Sequence, residues 1–287
     1  MKNLLKINKK IESFNQKIKV TGDKSLSIRW ILLASQATGK SKAYNLLMSE
    51  DVLAAIESVK KLGIKVKMYK NYCEIFGNGI NGFKYKKNLT IDAKNSGTLG
   101  RLILGLLIKS PQKIKLIGDK SLSKRDFSRI TEPLKKFGAK FYHKNANKLP
   151  LSILGSKLVK GINYLENKGS AQCKTSIMFA ALNSSGTTSI KAKKSRNHTE
   201  LLFKYLKIPT KIRITKKYDF IEIKQPKKIP AFNYQIPGDI SSSAFFMVLT
   251  MLSADSKLLI KNVNVNFSRI GVITILKKMG ANILLKN

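Results

Sequence analysis

The sequence predicts an α/β repeat protein, and three observations predict it. A small, polar turn that opens a helix recurs around Ser25, Ser96, Ser170 and Ser241, at spacings of 71, 74 and 71 residues. A second helix in each unit ends alike: VKKLGI at Gly63, LKKFGA at Gly138, FKYLKI at Lys207 and LKKMGA at Gly280. Short β-branched or aromatic runs lie between these helices and read as strands. Four units result, three complete and a fourth expected to stop at Asn287 just after an ANILL strand.

Taken in order, the first helices open with GDKSLSIRWILLA, NSGTLGRLILGLL, GSAQCKTSIMFAAL and PGDISSSAFFMVL. They are apolar nearly all round and are expected to lie buried under sheets. The second helices, such as SEDVLAAIESVKKLG and RITEPLKKFG, are amphipathic and are expected to be more exposed. Glycine at their ends suits the left-handed conformation that closes a helix. Strands are expected at IKVT before Gly22, IKVKMY at 64–69, KIKLI at 113–117, YDFIEI at 218–223 and KLLIKN at 257–262. Burying the first helices brings their N-termini, with free N–H groups and partial positive charge, towards one cleft.

At 287 residues and 43% hydrophobic, the chain can bury a sizeable core as one large or two ordinary domains. No run of about 18 apolar residues exists, so no membrane helix is expected. The start, MKNLLKINKK, lacks a secretory signal, and Cys73 and Cys173 are too few for a disulfide framework, which suits a reducing, cytoplasmic setting. His143 and His198 have no metal-ligand spacing, so neither metal nor cofactor is expected. The net charge of +39 invites a nucleic-acid partner, but only seven of the 55 basic residues are arginine, and lysines are spread over the whole length. That reads as compositional bias. The scarce arginines Arg29, Arg101, Arg125, Arg196 and Arg269 all lie near Gly, Ser or Asn turns, where a planar, bidentate group suits anion recognition.

The turns themselves carry the chemistry. In GDKSLSIR, Ser25 reads as a helix cap, while Lys24 and Arg29 flank the same end and make it an anion site. In NSGTLGR, Asn95 to Arg101, Gly97 lets backbone approach a ligand closely. GSAQCK supplies Ser170 and Gln172, which as readily serve as caps, and KKSRNHTE puts Ser195, Arg196 and His198 at a second-helix start. By itself His198 reads as structural. ASQATGKS at 34–41 fits a relaxed phosphate loop, but a helix precedes it and a strand follows, so Gly39 is read as a helix C-cap. The hexapeptide GDKSLS occurs at Gly22 to Ser27 and Gly118 to Ser123, out of register with the repeat. It is one requirement met twice, an anion held at a helix start.

In order, GDKSLSIR, NLLMSEDVLA, NSGTLGRL, GDKSLSKRDFSRITEPLKKFGA, GSAQCKTSI, SRNHTELL, IPGDISSSAFF and NVNVNFSRIGVITILKKMGANI resemble one family from about Ile18 onward. It is 5-enolpyruvylshikimate-3-phosphate synthase, or 3-phosphoshikimate 1-carboxyvinyltransferase; SAQ in place of SSQ is similar to its glyphosate-tolerant class. The resemblance implies transfer of the enolpyruvyl group of phosphoenolpyruvate to the 5-hydroxyl of shikimate 3-phosphate, with release of phosphate, in aromatic amino acid and chorismate biosynthesis. No cofactor and no metal are implied. Lys24, Ser25 and Arg29 would bind shikimate 3-phosphate, with Lys24 also reaching phosphoenolpyruvate as the candidate catalytic group. Gly97, Arg125 and Gln172 would line the phosphoenolpyruvate side, with Asn95 shaping that turn. Ser170, Ala171, Gln172 and Ser195 would complete the shikimate phosphate pocket.

The family's fold is a two-lobed inside-out α/β barrel of βαβαββ units. The resemblance makes 21–235 one complete lobe and leaves 1–20 and 236–287 in an incomplete second one. Proton-transfer residues would then lie beyond Asn287, so this chain is expected to bind shikimate 3-phosphate weakly and not to turn over; Asp239 is read as a cap. The family is usually monomeric, and the expected partners are the two small anions, with no membrane or nucleic acid. Alternative readings are the related UDP-N-acetylglucosamine enolpyruvyl transferase and a non-catalytic anion- or nucleic-acid-binding fragment.

Overall fold

The computed structural model describes residues 11–144 and 146–286. Strand β1 (Asn15–Lys19) leads into α1 (Lys24–Ser35), β2 (Thr38–Tyr44), α2 (Glu50–Lys61), β3 (Lys65–Met68) and β4 (Tyr72–Asn78). The next repeat is β5 (Thr90–Asp92), α3 (Gly97–Leu106), β6 (Ile114–Ile117), the short α4 (Lys120–Ser123), α5 (Ser128–Lys136), β7 (Lys140–His143) and β8 (Leu151–Leu154). A third follows as β9 (Asn163–Glu166), α6 (Ala171–Ala181), β10 (Thr187–Lys193), α7 (His198–Tyr205), β11 (Thr210–Ile214) and β12 (Tyr218–Lys224). The last is β13 (Asn233–Gln235), α8 (Ile240–Leu252), β14 (Lys257–Lys261) and α9 (Gly271–Lys278). The chain forms two compact units, one of Lys24–Ile236 and one of Met1–Asp23 with Pro237–Asn287, whose first ten residues lie outside the described ones.

Within Lys24–Ile236, three four-stranded sheets share one order, β13-β2-β4-β3, β5-β6-β8-β7 and β9-β10-β12-β11. In each, the first two strands are parallel and the other pairs antiparallel. Parallel neighbours need a crossover, which α3 and α6 provide in the second and third sheets. The first sheet departs in one respect. Its first strand is β13, with Asn233 opposite Lys42, while β1 pairs parallel to β14 in the other unit, with Asn15 opposite Lys257. The strands that precede α1 and α8 are thus exchanged, a pairing that no local sequence signal encodes.

The division between helix types holds for the first three repeats. Helix α1 is buried at every position from Leu26 to Ser35, and α3 and α6 are buried over nearly all of their length. Helix α2 instead buries Val52, Ala55, Ile56 and Val59 on one face and keeps a Glu57–Lys60 pair on the other. Helix α8 departs from the expectation: only Ile240 and Ser243 are buried, and Phe245 and Leu252 are each 79% exposed. Its unit contains a single two-stranded sheet among the described residues, too little to cover a helix that is apolar on all sides.

Backbone geometry explains the recurring helix ends. Gly63, Gly138 and Gly280 have φ of 83°, 96° and 95°, and Lys207, at the corresponding place, holds φ 54°. A lysine there costs roughly 1–2 kcal/mol against glycine. Two expectations are corrected. Gly39 does not cap α1, which ends at Ser35; it lies in β2 with φ 101°. Among the described residues no strand forms over 281–286. The GKS of the phosphate-loop look-alike is therefore strand, and it opens no helix.

Trp30, Phe127, Phe137, Phe179 and Phe203 are among the largest fully buried side chains of the core. Cys73 and Cys173 are free, and burial pushes both thiols up to about 12. Helices α3 and α6 approach closely at Gly105, where a Cβ would lie 2.2 Å from the Ser176 carbonyl oxygen. Backbone cannot yield as a side-chain tip can, so Gly105→Ala is expected to cost about 1–3 kcal/mol. Its urea midpoint should fall with unchanged slope; an unmoved midpoint would show that this glycine does not set the helix separation.

Candidate functional site

Lys24 is the first residue of α1, which places Ser25 inside the first turn and not at the cap. Arg29 follows one turn later on a helix buried all round, and it is only 3% exposed. Its Nε donates to Thr199 Oγ1 at 2.9 Å, Nη1 to the Ser25 carbonyl at 3.0 Å and Nη2 to Thr175 Oγ1 at 3.2 Å. The two threonine hydroxyls bond each other at 2.7 Å. These neutral partners orient the guanidinium. Lys24 Nζ lies 3.3 Å from Asp51 Oδ2 and is about half exposed.

A second group gathers at α3. Ser96 caps the helix, its Oγ accepting from Leu99 N at 3.3 Å. Gly97 is the first helical residue, and a Cβ there would lie 3.0 Å from Arg125 Nη1 and 3.3 Å from Arg101 Nη1. The absent side chain thus leaves room for two guanidiniums at a helix N-terminus. Burial, then the neighbouring charges of Arg129 and Arg125, holds the Arg101 guanidinium below its ordinary pKa. Arg101 Nη1 donates to Gln172 Oε1 at 2.7 Å, and Gln172 Nε2 donates to Thr98 Oγ1 at 3.1 Å. Gln172 and Thr175 are three residues apart on α6, hence on one face. The first turns of α6 therefore touch both α3 and α1.

The second GDKSLS solves a different local problem. Asp119 caps α4 by accepting from Leu122 N at 2.6 Å, and Asn95 Nδ2 donates to its other oxygen at 2.5 Å. Those bonds, the backbone one first, hold the Asp119 carboxyl below its usual range. Asn95 is thereby tied to the turn that carries Arg125, which follows the short helix at an exposed position. The first copy begins a buried twelve-residue helix and the second a single turn, yet both place a helix start at their lysine.

The remaining candidates divide. Ser170 caps α6, accepting from Cys173 N at 3.2 Å, and Ala171, the first helical residue, is half-buried. Ser195 Oγ is buried with no hydrogen-bond partner among the described residues, in the loop before α7. His198 is buried at the start of α7, and Arg196 is exposed. In the other unit, Asp239 accepts from Ser241 N at 2.8 Å as the cap of α8.

Sequence reading missed Thr98, Thr175 and Thr199, which seat the polar groups, and a buried ion pair beside them. Lys174 Nζ and Glu200 Oε1 lie 2.5 Å apart with side-chain exposures of 0% and 6%. Thr175 had a signal, its spacing of three from Gln172 on a predicted helix. Lys174 had none, because it reads as one lysine among many. Among the described residues no group of His, Cys, Asp and Glu is placed to hold a metal ion, and no helix is long and apolar enough to cross a membrane.

Buried helices that meet at their N-terminal turns, with arginine, lysine, amide and glycine at the junction, define an α/β repeat protein whose polar groups gather at helix starts. The chain belongs to the EPSP synthase (3-phosphoshikimate 1-carboxyvinyltransferase) family, whose model matches residues 8–287. It is 37% identical to the 3-phosphoshikimate 1-carboxyvinyltransferase of Streptococcus mutans over 290 residues, covering 99% of this chain and 66% of that protein. It is 41% identical to that of Ruthia magnifica over 272 residues, covering 94% and 61%. The solved EPSP synthase from Acinetobacter baumannii superposes with a TM-score of 0.87 at 34% identity, over 96% of this chain and 62% of that one. The chain thus spans less than two thirds of the length of these relatives, and the α/β fold of βαβαββ units is the one expected.

Proposed function

We propose that this chain serves enolpyruvyl transfer from phosphoenolpyruvate to the 5-hydroxyl of shikimate 3-phosphate, the activity named for its relatives. The observation that carries this reading is the junction of α1, α3 and α6, where Arg29, Arg101 and Gln172 are fixed by side-chain bonds between helices. Two anionic substrates need two cationic seats, and the junction offers one around Lys24, Ser25 and Arg29 and another around Gly97 and Arg125. In this reading the Arg29 seat takes the phosphate of shikimate 3-phosphate. Ser170, Ala171, Gln172 and Ser195 complete its pocket. Arg125 and the Gly97 end of α3 take phosphoenolpyruvate, Asn95 holds their turn, and Lys24 lies between both ligands. Residues 21–235 act as one lobe in this proposal, and residues 1–20 with 236–287 belong to a second. None of the described residues is assigned to proton transfer.

Calorimetric titration tests the substrate. Shikimate 3-phosphate is expected to give saturable heat, and UDP-N-acetylglucosamine none. Heat from the nucleotide sugar would favour the related transferase. Binding of single-stranded DNA that collapses with salt, with no response to shikimate 3-phosphate, would overturn the proposal.

A further inference from the structure

Arg101 has no place in the substrate contacts above, yet it is the arginine with the most directed surroundings in the second repeat. It is buried, with 9% exposure, and its guanidinium lies over the Phe127 ring at 5.3 Å. Nη1 donates to Gln172 Oε1 at 2.7 Å, Nη2 reaches the Asp126 carbonyl at 3.4 Å, and Nε is buried without a partner among the described residues. Burying a charged side chain beside Arg125 and Arg129 opposes folding, so its position demands a compensating role.

The chemistry of the contact supplies that role. A carboxamide can be turned over with little change of shape, exchanging an acceptor for two donors. Guanidinium has donors only, so the Gln172 atom facing Arg101 must be the carbonyl oxygen. The amide nitrogen is then directed to Thr98 Oγ1 at 3.1 Å and retains a second N–H. Lysine in place of Arg101 would keep the charge and lose the flat fork that lies on Phe127 while reaching two oxygens.

We infer that Arg101 is a positioning residue that fixes the flip of the Gln172 carboxamide, so that Gln172 offers an N–H donor to the anionic ligand. This rests on the reading of Gln172 as a ligand contact. Two arms test it separately. In the first, the Gln172 side-chain amide signal is assigned in the nitrogen-15 spectrum of the ligand-free chain by its loss in Gln172→Ala. Arg101→Met is expected to move that signal towards free glutamine, with Arg101→Lys intermediate; an unmoved signal would overturn the inference. In the second, shikimate 3-phosphate is titrated into the wild type, Arg101→Met, Gln172→Ala and the double variant. Arg101→Met is expected to weaken binding about tenfold, and the double variant to bind no more weakly than Gln172→Ala. Additive losses would show that Arg101 acts independently of Gln172 and sink the inference. A wild type that takes up no shikimate 3-phosphate would instead refute the substrate reading, and the spectroscopic arm would still decide the role of Arg101.

Discussion

Lys174→Met is expected to destabilise the chain by about 3–5 kcal/mol. Lys174 is completely buried on α6, and its ammonium meets Glu200 on α7. Removing the ammonium leaves a carboxylate with 6% side-chain exposure, whose second oxygen already lacks a hydrogen-bond partner among the described residues. The penalty is the desolvation of that stranded charge. Replacing both residues, as in Lys174→Met with Glu200→Met, should therefore recover most of the loss. The buried Trp30 is the one tryptophan of the sequence, so its fluorescence during urea unfolding reports the change. A single variant within about 0.5 kcal/mol of wild type would show the pair to be solvated. The pair also matters for the site, because its members directly adjoin Thr175 and Thr199, which seat Arg29.

Arg29→Ala is expected to weaken shikimate 3-phosphate binding by about 30- to 150-fold, the loss of about 2–3 kcal/mol from a charge-assisted contact. Arg29→Lys should restore little, since a point charge cannot span two threonines and a carbonyl as the fork does. Arg125→Ala should spare shikimate 3-phosphate and weaken phosphoenolpyruvate. Calorimetry with each ligand distinguishes the two seats. Equal losses for both ligands at both positions would refute the division of labour between the two copies of GDKSLS.

Much of this was legible from residue order because its cause is local. A repeat whose first helices are apolar all round and whose second helices end in a left-handed residue declares its units without tertiary information. Gly63, Gly138 and Gly280 did so by residue type, and Lys207 only by its place in the repeat. Caps were equally local at Ser170 and Asp239, which each accept from a backbone N–H within three residues, whereas Ser25, also read as a cap, lies inside the first turn of α1. Local reasoning failed at Gly39, where a glycine near a helix end belongs to a strand, and at 281–286, where an apolar run forms no strand among the described residues. It also placed α8 with the buried helices, because composition reports what a helix could bury and not what stands next to it.

Residue order marked the repeating units, most of their helices and strands, and a small set of turns where an anion could be held. Only the tertiary structure decided that β13 completes the sheet of the first repeat while β1 pairs with β14. Only the tertiary structure joined Arg29 to Thr175 and Thr199 across 146 and 170 residues, and Arg101 to Gln172 across 71. The physical reason is one of range. Helix periodicity and capping act over a few residues and are written in neighbours, whereas hydrogen bonds between first turns exist only once the packing of buried helices has brought those turns together.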